Sequence, residues 1–104
     1  MTRVRLLHVP GCPGAELLLR RLAEPGFGEV QVDRAVVADE TEAVAAGMTG
    51  SPTLLIDGMD PFAVPNAVPS LSCRLYRDEH DRLGNAPSAA QLRQALIGED
   101  TRDG

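Results

Sequence analysis

The two cysteines are the residues of this chain with the clearest capacity for chemistry. Cys12 follows Pro10-Gly11 and precedes Pro13, and proline suits the first position of a helix because its fixed φ is helical and it lacks an N–H. Cys12 is therefore predicted to be a helix N-cap. Unpaired backbone N–H groups and the helix dipole favour a thiolate at that position, which predicts a lowered pKa and a nucleophilic sulfur. The alternative is a small buried cysteine that packs as a hydrophobic residue.

Cys73 lies far downstream, in a segment that alternates like a strand. It shares a predicted strand face with Leu71 and Leu75, whereas Ser72, Arg74 and Tyr76 point the other way. The favoured interpretation is an inert core residue. The competing interpretation is a thiol that resolves an adduct on the first cysteine.

Other candidate residues are fewer and weaker. His8 would stabilise a thiolate or accept a proton, although a half-solvated strand end is the plainer interpretation. Glu16 is the acidic residue one turn after Cys12, and Asp60 or Phe62 would line the site if the linker that carries them crosses over it. No metal or cofactor is predicted, because two separated cysteines and two separated histidines do not have zinc-site spacing.

The elements that must position these residues alternate between strand and helix. Four strands are predicted, at residues 3–9, 30–37, 53–56 and 71–77. Three helices are predicted, at residues 13–24, at residues 39–46 with Asp39 or Thr41 as the cap and Gly47 as the stop, and at residues 88–97 with Ser88 as the cap. Residues 59–70 form a proline-rich linker, and residues 78–85, which include His80, form a polar hairpin or loop.

Composition bounds the class of protein. With 104 residues, 43% of them hydrophobic, one domain is predicted over residues 1–98, followed by a flexible tail at 99–104. The net charge of −5 disfavours nonspecific nucleic-acid binding and attraction to anionic membranes. Because no secretory or membrane-spanning apolar run is evident, a cytoplasmic location with free cysteines is predicted.

The predicted order β-α-β-α-β-β-α, the Cys-Pro-x-x turn at Cys12, and Ser51-Pro52-Thr53 before the third strand resemble the thioredoxin-like superfamily over nearly the whole chain. The resemblance implies an α/β fold with a four-stranded mixed sheet flanked by helices. It implies that Cys12 and Cys73 are the candidate catalytic residues, with Cys12 as the nucleophile and Pro52 as a cis-proline beside it. It also implies that Pro13, Ser51, Pro52 and Thr53 help to bind substrate. The backbone of Ser51 would then be exposed to pair with an extended substrate.

The chain departs from the thioredoxin pattern at two positions. Ala15 stands where the second cysteine of Cys-x-x-Cys is expected, and Leu6 stands where thioredoxins carry a buried acid. Two routes of catalysis remain, in which either an external low-molecular-weight thiol or Cys73 resolves the adduct on Cys12. The expected partners are a low-molecular-weight thiol or a protein disulfide, and the sequence makes no prediction of oligomeric state.

A narrower resemblance lies in residues 50–58, 60–62 and 69–76, which are similar to a group of short bacterial thioredoxin-like proteins. Some of that group carry selenocysteine at the reactive position, and some are labelled alkylmercury lyase-like. Three functions therefore compete. The favoured one is a monothiol redox protein that acts through Cys12, a possible thiol–disulfide oxidoreductase. The second is an organomercurial lyase or mercury-binding protein that uses Cys12 and Cys73, with Glu16 as the acid. The third is a noncatalytic module that binds a partner at Ser51-Pro52.

Overall fold

The computed structural model describes residues 2–24, 26–27 and 30–102, and these form a mixed α/β structure. The described elements, in chain order, are β1 (Thr2–His8), α1 (Pro13–Leu22), β2 (Val30–Val36), α2 (Glu40–Ala46), β3 (Thr49–Ser51), β4 (Thr53–Ile56), β5 (Ser70–Cys73), β6 (Tyr76–Arg77), β7 (Leu83–Gly84) and α3 (Ala89–Arg102).

The main sheet has the strand order β2-β1-β4. Strand β1 pairs in parallel with β2, from Thr2 opposite Val30, and antiparallel with β4, where Leu6 lies opposite Leu54. The central position suits β1, because Val4, Leu6 and Leu7 are all buried. The mixed sheet is confirmed, but the prediction of four strands is wrong, since this sheet has three in the described residues.

The segment predicted as the fourth strand, residues 71–77, divides into two short strands that join other partners. Strand β5 pairs in parallel with β3, and β6 pairs antiparallel with β7 in a small hairpin. The cause lies at Arg74, whose N–H donates a hydrogen bond to the Ser51 carbonyl and whose side chain turns inward to Asp60. These two bonds hold β5 beside β3 instead of beside β4.

The helix caps follow the sequence closely. Asp39 caps α2 by accepting a hydrogen bond from the Glu42 N–H at 2.8 Å, and Gly47 ends that helix with a left-handed φ of 78°. Ser88 caps α3 by accepting from the Gln91 N–H at 3.1 Å. Helix α3 continues to Arg102, so the predicted end at residue 97 is too early and the predicted boundary between domain and tail falls inside the helix.

Two clusters of buried side chains form the core. The larger lies between the main sheet and helices α1 and α3, and contains Leu6, Leu18, Leu54 and Leu92, each fully buried. The smaller centres on Leu7, Val37, Ala43 and Met48, beneath α2. The helix α1 that carries Cys12 is thus fixed to the sheet along its apolar face.

The linker between β4 and β5 contains no regular element. Asp57 and Gly58, both with positive φ, turn the chain so that Ile56 pairs with Met59. Residues 63–69 are all exposed, and the hydrogen bonds of the linker from Ala63 to Ala67 are local ones, such as Ala67 N–H to the Val64 carbonyl. Among the described residues, no helix has the length and apolar character needed to cross a membrane.

Candidate functional site

A small cleft brings the two cysteines together. Its free volume is about 30 Å³, and it is lined by four separate segments of the chain: Cys12, Pro13, Gly14, Ser51, Cys73, Arg74 and Asn85. Both cysteines are free thiols. Three larger depressions, of about 220, 310 and 340 Å³, lie elsewhere on the described part of the molecule, and no cysteine lines them. The structure therefore places Cys73 at the same cleft as Cys12, which the sequence left open.

Cys12 is the N-cap of α1, as predicted. Its backbone is extended, with φ −72° and ψ 114°, and Pro13 occupies the first helical position. The thiol makes no capping hydrogen bond, and the residue is only 5% exposed, packed within the larger core cluster. Cys12 is thus a nearly enclosed thiol at the positive end of a helix dipole, and its reactivity stays a prediction.

The N-terminus of α1 lies directly against Pro52. The Ser51–Pro52 peptide bond is cis, which confirms the prediction at this position. A Cβ added to Gly14 would lie 2.8 Å from Pro52 Cδ and still closer to the Asn85 carbonyl oxygen. Only glycine allows this approach, so Gly14 determines how closely the helix and the Pro52 loop surround Cys12.

Ser51 and Thr53 hold the Pro52 loop from within. The Ser51 hydroxyl accepts a hydrogen bond from the Val9 N–H at 3.0 Å, and the Thr53 hydroxyl donates to the Gly50 carbonyl at 2.7 Å. Thr53 is fully buried and Ser51 is 2% exposed. The prediction of an exposed Ser51 backbone is therefore wrong, because the Ser51 carbonyl already accepts the Arg74 N–H at 3.0 Å and β5 occupies that edge.

Strand β5 presents Cys73 outward. Cys73 is exposed and so is Leu75, whereas Tyr76 and the Arg74 side chain are buried. The predicted alternation holds for residues 73–76 but not for Leu71, which packs against the smaller core cluster, or for Ser72, which is exposed. The predicted core face is wrong, because Cys73 lies on the solvent side. The reason is that the buried partners of Arg74 compensate its charge.

Arg74 is held behind the cleft by a buried ion pair. Its Nη1 donates to Asp60 Oδ2 at 2.6 Å, and its Nη2 donates to the Phe62 carbonyl at 2.6 Å. The Arg74 and Asp60 side chains are 9% and 13% exposed, and the guanidinium lies 4.6 Å from the centre of the Tyr76 ring. Asp60 and Phe62 of the linker thus bind Arg74 from behind the cleft. Arg74 lines the cleft, whereas Asp60 and Phe62 do not.

Tyr76 completes this arrangement. Its hydroxyl donates to the Pro52 carbonyl, and its ring meets Phe62 edge to face with centres 5.8 Å apart. Burial raises the pKa of the Tyr76 phenol, although the Arg74 charge acts in the opposite direction. Sequence reasoning missed the grouping of Arg74 with Tyr76, and the available signal was an arginine between Cys73 and Leu75, two positions before the one tyrosine of the chain.

The two histidines and Glu16 lie outside the cleft. His8 is 3% exposed, so the half-solvated interpretation is wrong. The His8 Nε2 lies 3.2 Å from two nitrogens of Arg34, and because arginine nitrogens only donate, Nε2 is the acceptor. The ring proton is therefore on Nδ1, which donates to the Val9 carbonyl at 2.8 Å. Arg34 also binds Glu16, which is exposed, at 3.0 Å. His80 is an exposed loop residue, as predicted.

In comparisons with known proteins, this chain matches no family model, no curated protein and no solved structure. The site is therefore interpreted from its own geometry. Among the described residues, no three His, Cys, Asp or Glu side chains group together as a metal site requires.

Proposed function

We propose that this protein is a thiol redox protein in which Cys12 and Cys73 cycle between a dithiol and a disulfide. The observation that carries the proposal is that the two cysteines of the chain line one small cleft, although they are remote in sequence. Core packing does not explain why Cys73 lies in this cleft, because Cys73 is exposed.

The chemistry needs no residue beyond these two and a small disulfide, RSSR. One protein thiolate attacks RSSR, so that a protein–SR mixed disulfide forms and RS⁻ leaves. The second protein thiolate attacks the protein sulfur of that adduct, which forms the Cys12–Cys73 bond and releases a second RS⁻. Two equivalents of a low-molecular-weight thiol run the same steps backwards. Cys73 thereby supplies the resolving function that Ala15 cannot.

The thioredoxin-like resemblance is part of this proposal. It is supported by a cysteine N-cap before a helical proline and by the cis Ser51–Pro52 bond against the same helix. Strand β5 at the Ser51 carbonyl argues against a noncatalytic module that binds partners at that edge. A protein with this arrangement acts on thiols and disulfides through its own dithiol.

Binding of a soft cation such as Hg²⁺ is a second candidate, because two thiolates that share one cleft provide the ligands such ions prefer. A lyase reaction also needs an acid to protonate carbon. Glu16, the acid considered for that role, is exposed and paired with Arg34 outside the cleft. The geometry therefore favours cation binding over carbon–mercury cleavage.

The test is oxidation of the reduced, folded protein by hydroxyethyl disulfide, followed by intact-protein and peptide mass spectrometry. The expected product has lost two hydrogens, carries no adduct and contains a Cys12–Cys73 peptide link that dithiothreitol reverses. Cys12→Ser and Cys73→Ser are matched controls that retain one thiol and cannot form the link. The proposal fails if the folded wild-type protein stops at a mixed disulfide or stays reduced. Titration of the reduced protein with HgCl₂ tests the second candidate, which predicts one tightly bound ion per chain.

A further inference from the structure

We infer that Cys73 is the thiol that meets the external disulfide, and that Cys12, at the helix N-terminus, is the internal thiol that resolves the adduct. This inference rests on the proposed function and assigns the order of its two steps. The first observation is the difference in access: Cys73 is exposed on β5, whereas Cys12 is 5% exposed.

The second observation is the size of the cleft. Its free volume of about 30 Å³ accommodates no more than a few water molecules. A mixed disulfide on Cys12 would place its organic substituent inside that space, between Ser51 and Asn85. A mixed disulfide on Cys73 would place the substituent in solvent. On one side of this space Gly14 packs so closely against Pro52 and Asn85 that not even a Cβ fits there.

The third observation is the fixed position of β5. The Arg74 N–H is bonded to the Ser51 carbonyl, and the Arg74 side chain is tied to Asp60 and to the Phe62 carbonyl. Because Arg74 adjoins Cys73 and its side chain points inward, Cys73 is held at the exposed rim of the cleft that Cys12 lines from within. The strand therefore presents Cys73, not Cys12, to solvent.

The two steps follow from this placement. The Cys73 thiolate attacks RSSR, a bond forms between Cys73 Sγ and one sulfur, and RS⁻ leaves and takes a proton from water. The Cys12 thiolate then attacks Cys73 Sγ from the protein side, the Cys12–Cys73 bond forms, and the second RS⁻ leaves toward solvent. Thiol–disulfide exchange proceeds along the S–S axis, and the internal position of Cys12 directs the leaving group outward. Cys12, at the N-terminus of α1, is the attacking group in this second step.

The experiment measures adduct formation on the single-thiol variants Cys12→Ser and Cys73→Ser, with hydroxyethyl disulfide and with the bulkier glutathione disulfide. Cys73 in the Cys12→Ser variant is expected to form its adduct at least about tenfold faster than Cys12 in the Cys73→Ser variant, because exchange rates depend on access. The ratio is expected to grow with glutathione disulfide. In urea, where the cleft is lost, the two single-thiol variants are expected to form adducts at similar rates.

Wild-type protein, run in parallel, separates this inference from the proposed function. If the wild type forms the Cys12–Cys73 disulfide but Cys12 traps adducts as fast as Cys73 does, the order is overturned and the redox function stands. If the wild type accumulates an adduct on Cys73 without forming the internal disulfide, Cys12 does not resolve, and both the order and the redox pair are overturned.

Discussion

Substitution of Arg74 by methionine tests whether the buried ion pair holds the site together. Methionine keeps most of the aliphatic stem but removes the charge that Asp60 binds at 2.6 Å. The Asp60 carboxylate is then left 13% exposed, with the Phe62 N–H as its remaining partner, and the Phe62 carbonyl loses its donor. Removal of one partner from a buried pair costs about 3–5 kcal/mol, because the other charge stays desolvated.

A loss of this size is a large share of the free energy of unfolding, which is about 5–15 kcal/mol for a typical domain. The assay is urea unfolding followed by circular dichroism, because the chain has no tryptophan. Arg77→Met is the matched control, because Arg77 pairs with Asp81 on the surface, with side chains 62% and 81% exposed. We expect that control to change the free energy of unfolding by less than about 1 kcal/mol.

The double variant Arg74→Met with Asp60→Asn separates a stranded charge from lost packing. It is expected to be more stable than Arg74→Met alone, because the neutral amide has a smaller desolvation cost. The reasoning is refuted if Arg74→Met destabilises the protein no more than Arg77→Met does. It is also refuted if neutralising Asp60 as well brings no recovery.

Three further predictions concern the surroundings of the cleft and the second helix. Tyr76→Phe removes the donor to the Pro52 carbonyl and is expected to lower the free energy of unfolding by about 1–3 kcal/mol. Burial raises the folded-state pKa of Tyr76 above its unfolded value of about 10. As the pH rises above about 10, the wild type should therefore lose stability relative to Tyr76→Phe, by at most about 1.4 kcal/mol per pH unit in urea titrations. Parallel pH curves for the two proteins would contradict this. Gly14→Ala places a Cβ against Pro52 and Asn85 and should lower the free energy of unfolding by about 1–3 kcal/mol. Thermal or urea unfolding measures this change, and an unchanged unfolding midpoint would show that the contact relaxes freely. Asp39→Ala should cost about 0.5–2 kcal/mol through loss of the α2 cap, whereas Asp39→Asn should cost less in the same assay; equal losses would assign the effect to charge.

Features that depend on neighbouring residues were predictable from the sequence. The Asp39 and Ser88 caps depend on contacts within one helical turn, and the helix start at Cys12 depends on Pro13, the next residue. The buried strand at residues 53–56 follows from its continuous apolar run. These signals located the helix that carries Cys12 and the loop that faces it.

Features that depend on distant pairing were not predictable in the same way. Alternation separated the exposed Cys73 and Leu75 from the buried Arg74 and Tyr76 but did not say which pair is buried, and it fails at Leu71 and Ser72. Leucines on one face favoured burial of Cys73, whereas the structure buries Arg74, because Asp60 supplies its counter-charge from the linker. Cys73 reaches the cleft that Cys12 lines because β5 pairs with β3, where Cys73 lies opposite Ser51. His8 is a similar case, since the Arg34 that covers it comes from another strand.

The exposed segment 63–69 has a consequence for how this chain tolerates changes in length. Asp60 and Phe62 are bound to Arg74 at one end, and Ser70 begins β5 at the other, where its N–H is bonded to the Met48 carbonyl. Between these anchors the backbone is exposed, and each doubling of a flexible loop costs only about 0.6 kcal/mol of closure entropy. Insertions, epitope tags or new termini from circular permutation are therefore best accommodated at this segment, on condition that both anchors are kept.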